Sequence, residues 1–427
     1  MSSCFFGGGR ILIPNCDLSR WSTIACDQFT SDPDYWDQVE ALAASVPSAY
    51  HITLPEIYLK EGPEDIRRRI ASINETMREY WKARLFTAYE DAMIYVERTQ
   101  ADGRTRRGLL GLIDLEQYDY HNDSKSLIRA TEETVLERIP PRMSIRRDAA
   151  LEIPHLMLLA DDAGDELIGQ AAARKDSFEC IYDFDLMLQS GHITGYLLDS
   201  AAKDSIRRTL DKFSDPDYFR NKYNTDKNPL VFAVGDGNHS LASAKECYEL
   251  LKAKIGPEKA AAHPARYALA EVVNLHDPAL DFEPIYRLVT GGELDELLGS
   301  LRRQNPAFHG GASKPGEISL HFQSGLEQRT LSLAAESGLL PVSVLQPLLD
   351  TFLQKSNAQI DYIHGLDMIR NLAKQDGHIG ITFTGMQKSD LFPGIIKGGV
   401  LPRKTFSMGH AQDKRFYLEC RVITEEL

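Results

Sequence analysis

Short apolar runs and amphipathic stretches alternate along most of this chain. Runs at residues 10–14, 92–97, 109–114, 154–160, 178–187, 193–198, 230–234 and 266–274 have the length and side-chain character of strands. Apolar positions return at helical spacing over 33–44, 63–85, 166–175, 201–213 and from Leu241 to the Gly256-Pro257 break, and these stretches predict helices. The runs at 92–97 and 109–114 flank Asp102-Gly103-Arg104 and predict a β-hairpin with a long loop. Strand and helix patterns interleave, so the expected class is α/β with an α+β mixed sheet, in which sites gather at strand ends. Two segments, 21–30 and 215–228, mix aromatic and polar residues without a period. The first suits either a site-lining loop or a loop whose Trp21 and Phe29 pack on the core.

Beyond Gly291 the pattern loosens. Helices at 293–303, 341–352 and 366–374 and strands at 317–322, 329–333 and 379–383 read as a smaller α/β module. The expected organisation is a main α/β domain over residues 1–290, the smaller module over 291–394, and a C-terminal segment, 395–427, that returns to the main domain and ends in a strand near 415–422.

Composition changes this picture little; charge narrows it. The 427 residues are 43% hydrophobic, ordinary for a globular chain. A formal net charge of -14 with pI near 5.4 argues against non-specific binding of nucleic acid or of anionic membrane, both of which require clustered Lys and Arg. No stretch approaches the roughly 18 apolar residues of a membrane span, and the first residues lack the pattern of a signal peptide, so a cytoplasmic protein is expected. The six cysteines are scattered without a C-x-x-C pair, which indicates neither a disulfide scaffold nor a zinc site.

The stretch richest in chemistry follows the 230–234 run. Gly235-Asp236-Gly237-Asn238-His239-Ser240 sits between a predicted strand and a predicted helix, where glycines let backbone approach a ligand and helix N–H groups favour an anion. The alternative is that Asn238 or Ser240 caps the helix while Asp236 closes an Asx turn. Upstream, Arg129, Arg138, Arg142, Arg146 and Arg147 place five arginines within nineteen residues of an acidic chain. That element is either an anion-binding arm or an exposed helix of Glu/Arg pairs ending before Pro140. Asp27 and Gln28 in the aperiodic loop, and His276-Asp277 after the 266–274 run, are further pocket candidates. Lys404 and Lys414-Arg415 contact an anion or solvate a sheet rim.

Four stretches stand in one order: Arg129-Ala130-Thr131-Glu132-Glu133-Thr134, Asp236-Gly237-Asn238-His239-Ser240, Asp277-Pro278-Ala279-Leu280 and Pro402-Arg403-Lys404-Thr405-Phe406. Together they resemble the motifs of the bacterial and archaeal proteins grouped as domain-of-unknown-function family 1015. The chain departs from them at Asn238, at Ser240 and in lacking the upstream histidine. The resemblance implies a ParB/sulfiredoxin-like main domain, similar to nucleotide-dependent kinases of free serine, and hence phosphoryl chemistry on a small hydroxylated metabolite. It implies ATP or ADP with Mg as cofactor, Asp236, His239 and Glu132 as catalytic groups, and Asp236 as metal ligand. Gly235, Gly237, Asn238, Ser240, Arg129, Arg138, Arg142, Lys404 and Thr405 would meet the nucleotide or its phosphates, and Asp27, Gln28, His276 and Asp277 the substrate. Two other readings stay open: a non-catalytic sensor of a nucleotide or phospho-metabolite, and a small-molecule phosphatase. The oligomeric state is open as well, a homodimer being one option.

Overall fold

The computed structural model describes residues 5–134, 139–310, 314–334 and 339–425. The chain divides into two compact units, residues 1–280 with 410–427, and residues 281–409. Mixed α/β structure is found in both.

Among the described residues the first unit holds a ten-stranded mixed sheet. Its order is Glu179–Asp185, His192–Leu197, Ile94–Thr99, Thr105–Asp114, Tyr267–Asn274, Met157–Ala160, Phe232–Asp236, Ile128–Ala130 and Tyr118–Asp119, with Phe6–Gly7 paired to Thr105–Asp114. The four strands that matter for the site are labelled β1 (Ile128–Ala130), β2 (Met157–Ala160), β3 (Phe232–Asp236) and β4 (Tyr267–Asn274). Side chains along a strand point alternately to opposite faces, and both faces here are covered. Leu109, Ala268 and Ala270 join a core with Leu241 and Tyr248, while their neighbours Leu110 and Leu269 join one with Trp21, Trp36 and Ile73. Burial on both faces is why these strands read as continuous apolar runs.

The hairpin expected around residues 102–104 is present, with Ile94–Thr99 antiparallel to Thr105–Asp114. Of the arginine-rich element, Arg129 lies in β1, parallel to β3, and Arg142 and Arg146 lie in helix α1 (Ile139–Arg146), which contains Pro140; residues 135–138, across which the alternative of an exposed Glu/Arg helix runs, lie outside the described residues. The aperiodic 215–228 segment contains helix Pro216–Tyr223, capped by Asp215, which accepts from the N–H of Asp217 and Tyr218 at 2.9 and 2.8 Å. Eight residues were too few to show a period. The strand expected at 415–422 is two short ones, Phe416–Tyr417 on Thr23–Ile24 and Arg421–Val422 on Leu151–Glu152.

In the second unit a sheet runs in the order His309–Gly310, Glu327–Ala334, Glu317–Ser324, His378–Phe383, Phe282–Thr290 and Gln359–His364, with Phe406–Met408 paired to Phe282–Thr290. Helices Leu294–Gln304, Pro341–Leu353, Leu366–Leu372 and Lys388–Gly398 accompany it. The unit is wider than residues 291–394, because strand Phe282–Thr290 pairs inside its sheet and residues 395–409 stay with it. Only 410–427 return to the first unit.

Candidate functional site

The site is assembled at one end of β2. Strand β3 runs antiparallel to β2 and brings Asp236 opposite Met157, where a register shift marks an irregularity. The chain then turns through Gly237 into helix α2 (Asn238–Ile255). Gly237 has φ of +84°, a conformation L side chains rarely adopt, and an added Cβ would lie 2.6 Å from Leu156 Cδ2. Asn238 fastens the turn to β1: its amide oxygen accepts from Thr131 N–H at 3.3 Å and its amide nitrogen donates to Thr131 Oγ1 at 3.3 Å. Thr131 Oγ1 in turn donates to the Val234 carbonyl at 2.7 Å. The arginine-rich element is thus drawn to this turn twice, by the β1–β3 pairing and by α1 packing on α2, where Ser243 and Cys247 reach carbonyls of Ile139 and Met143.

Asp236 accepts from Gly237 N–H at 2.9 Å through Oδ1. Its Oδ2 is buried without a hydrogen bond and lies 3.4 Å from Nζ of Lys414. Lys414 is itself only 7% exposed. It is delivered there by its neighbour Arg415, whose guanidinium is buried in ion pairs with Glu271 on β4 and with Glu419. Paired buried charges of this kind fix the register of a segment more than they stabilise it.

Lys414 also acts on Asp27. Burial pushes its carboxyl up, but His155, the Gln28 amide donating at 2.9 Å, Lys414 and Arg142 outweigh burial and hold it below the usual range, so it is ionised at neutral pH. His155 Nε2 lies 3.9 Å from Asp27 Oδ2 and 3.4 Å from Ser240 Oγ, while Nδ1 is 2.9 Å from the Tyr417 hydroxyl. Burial drives the Tyr417 hydroxyl far above its ordinary range, and that oxygen already accepts from Cys26 N–H at 3.2 Å. The His155 ring thus lies between the Tyr417 hydroxyl at Nδ1 and Asp27 and Ser240 at Nε2. Burial likewise pushes the Cys26 thiol up to about 11, so it is no nucleophile at neutral pH. Arg142 is ion-paired with Glu56 and lines the same space. Beside these groups lies a cavity of about 150 Å³, with Cys26, Arg142, His155, Ser240 and Tyr417 on its polar side and Ile52, Met77 and Leu151 among its apolar walls.

The other expected site residues fall as follows. His239 and Gly235 lie three residues after and one before Asp236, half-buried, and Glu132 is half-buried just beyond β1. Arg129 is 6% exposed and is turned inward, Nε donating to the Ser126 carbonyl at 2.8 Å and Nη2 to those of Asn228 and Pro229 at 2.9 and 3.0 Å. It clamps two loops. Arg138 lies outside the described residues. His276 and Asp277 are at the far end of β2, because β4 is parallel to it and pairs Asn274 with Ala160, three residues or about 10 Å from Met157. There His276 meets Asp161 at 2.6 Å, and Asp277 accepts from the N–H groups of Ala279 and Arg107 at 2.8 and 3.1 Å. Lys404 and Thr405 belong to the second unit, in a loop whose carbonyls at 403 and 404 accept from buried Arg287; Thr405 Oγ1 donates to Pro402 at 2.6 Å and Lys404 has φ of +56°. His155, Tyr417 and the pairing of Lys414 with Asp236 were not legible in the sequence. The one signal was a titratable residue, His155, inside an otherwise apolar run.

Among the described residues no group of three or more His, Cys, Asp or Glu side chains could hold a metal by itself, and no helix is long and apolar enough to cross a membrane. Solved structures similar to this chain include a free serine kinase mutant in complex with AMP, 11% identical at a TM-score of 0.41, the match covering 74% of this chain and 92% of that one. Another free serine kinase mutant, with ADP, is 12% identical at 0.40 over 74% and 92%. A conserved hypothetical protein from Pyrococcus furiosus is 10% identical at 0.38 over 73% and 94%. No curated protein matches the chain. The family described as "Protein of unknown function (DUF1015)" matches residues 11–357, and the chain belongs to that family.

Proposed function

We propose that this chain is a nucleotide-dependent phosphotransferase acting on a small hydroxylated metabolite, with its reacting groups around Asp236, Lys414 and Asp27. The observation that carries the reading is the buried Asp236 Oδ2, which lacks a hydrogen bond 3.4 Å from a buried ammonium, at the N-terminus of an 18-residue helix. A buried charged oxygen left unsatisfied costs free energy unless a ligand completes it. Phosphoryl transfer calls for positive charge around the equatorial oxygens, N–H donors, and a carboxylate that orients the attacking hydroxyl. Lys414 and the first turn of α2 supply the first two. Asp27, ionised and faced by Nε2 of His155, accepts the hydroxyl proton, with Ser240 and Gln28 beside it. Mg²⁺ is commonly held by one or two carboxylates plus phosphate oxygens, and the unsatisfied Asp236 Oδ2 fits that arrangement; bound there, the ion would neutralise phosphate charge.

Size divides the ligands. A cavity of about 150 Å³ is below the roughly 300–1,000 Å³ of drug-sized ligand pockets, so it suits a small acceptor and not a nucleotide. Positive charge for the phosphates comes from Lys414 in place of Arg129 and Arg142, since Arg129 is committed to carbonyls and Arg142 to Glu56.

The test is a transfer assay on the purified chain with ATP or ADP, Mg²⁺ and a panel of small alcohols and hydroxy acids, followed by phosphorus NMR. Acceptor-dependent loss of nucleotide with a new phosphate ester supports the proposal. Nucleotide bound without turnover points to the sensor, and release of inorganic phosphate from phosphate esters without nucleotide points to the phosphatase.

A further inference from the structure

The second unit carries a concave polar surface that the proposed chemistry does not use. Residues directly opposite one another on antiparallel strands share a face. His321 on Glu317–Ser324 stands opposite Thr330 on one side and Thr382 on the other, and Gln323 stands opposite Gln328 and Gly380. Two adjacent rows of this sheet face are therefore polar. The alternating residues Leu320, Phe322, Leu331 and Ile381 turn to the opposite, buried face. An exposed antiparallel face is polar wherever it meets solvent. This one is walled: helix Leu366–Leu372 with the residue after it packs so closely that a Cβ on Gly380 would lie 2.8 Å from that of Ala373. The result is a pocket of about 280 Å³.

No Asp or Glu lines it, Arg370 and His321 border it, and Arg370 has no carboxylate partner among the described residues; Arg329, opposite Phe322, is paired with Glu327. In a chain of net charge -14 a concave surface without a carboxylate is unexpected if it serves only solvation. Thr382 and Gln328 add neutral donors and acceptors, while Thr330 holds the His321 ring through Nδ1 at 3.0 Å, which leaves Nε2 as its second polar atom. We propose that this pocket binds a small metabolite bearing a phosphate or carboxylate group, with Arg370 and His321 as the anion contacts and the glutamine and threonine side chains reading its polar body. The volume admits a molecule between inorganic phosphate and a nucleotide in size. The proposal concerns a site wholly inside the second unit and stands apart from the phosphotransferase reading.

Histidine-labelled full-length protein, titrated with inorganic phosphate against chloride at equal ionic strength, tests it. The imidazole resonance that disappears in His321→Gln is expected to move with phosphate, half-saturating on the order of 1 mM. Arg370→Ala, at an exposed position that leaves the melting temperature unchanged, is expected to weaken the response about tenfold, as loss of one charge-assisted hydrogen bond would. Asp236→Asn in the first unit is expected to leave it as it was. A resonance that does not move, that moves equally with chloride, or that titrates identically in Arg370→Ala overturns the proposal.

Discussion

The two ends of strand β2 carry similar residues in opposite states. At the Ala160 end Asp161 accepts from the Tyr223 hydroxyl at 2.5 Å and from His276 at 2.6 Å, with Lys222 beside it, and Asp277 accepts two backbone N–H groups. At the Met157 end Asp236 has one oxygen bonded to its neighbour's N–H and the other buried without a hydrogen bond beside Lys414. A saturated cluster is already compensated for burial and holds a turn in place. An unsaturated one bears a cost that a ligand can relieve. Sequence does not record which of the two states a carboxylate takes.

Substitution separates the ends most sharply. Asp236→Asn keeps the shape and removes the charge, and is expected to lower phosphoryl transfer at least ~100-fold while the melting temperature stays within about 1 °C of wild type. The same change at Asp161 is expected to do the reverse, costing roughly 2 kcal/mol of stability with nucleotide affinity unchanged, because it disrupts charge-assisted bonds to Tyr223 and Lys222. Paired thermal melts and nucleotide titrations on both variants measure this; equal losses of affinity would erase the distinction.

Arg129→Ala extends the comparison to a residue near the site that behaves like the saturated end. Removing donors to three carbonyls is expected to cost about 2 kcal/mol in denaturant unfolding and to leave nucleotide binding intact. A selective loss of affinity would instead return Arg129 to the phosphate. Gly237→Ala has a smaller expected effect, roughly 1–2 kcal/mol, from the left-handed backbone and the contact with Leu156. Since the turn aims the helix N-terminus, nucleotide affinity should fall with it, and a crystal structure of the variant would show the turn displaced.

The smallest expected effect is in pH dependence. Burial pushes the Asp161 carboxyl up, but Tyr223, Lys222 and His276 outweigh it and hold it below its ordinary range. A folded pKa below the unfolded value, about 3.9, gives stability that is present above that value and lost as pH falls through the folded one. Asp161→Asn should therefore flatten the unfolding curve below about pH 4 and leave it parallel to wild type near neutrality. An unchanged acid limb would show that the hydrogen bonds seen do not favour the charged form.

Much of the fold was legible because its strands and helices are long enough to show their period. The strand-turn-helix around Asp236 was read from the glycines of 235–240, and Gly237 indeed occupies a backbone state that demands one. Helix Pro216–Tyr223 was too short to show a period, and the prolines after Ile139, one reading of which was a helix stop, lie inside a helix. What sequence could not give was pairing between distant segments. Register decides that Asp236 and His276 lie at opposite ends of one four-residue strand, and burial of Arg415 against Glu271 decides that Lys414, from the last eighteen residues, meets Asp236 from the middle of the chain. Local pattern encodes which residues form an element and which face is apolar. Whether a carboxylate there ends up satisfied or unsatisfied depends on partners far away in the chain, and only the tertiary structure chooses them.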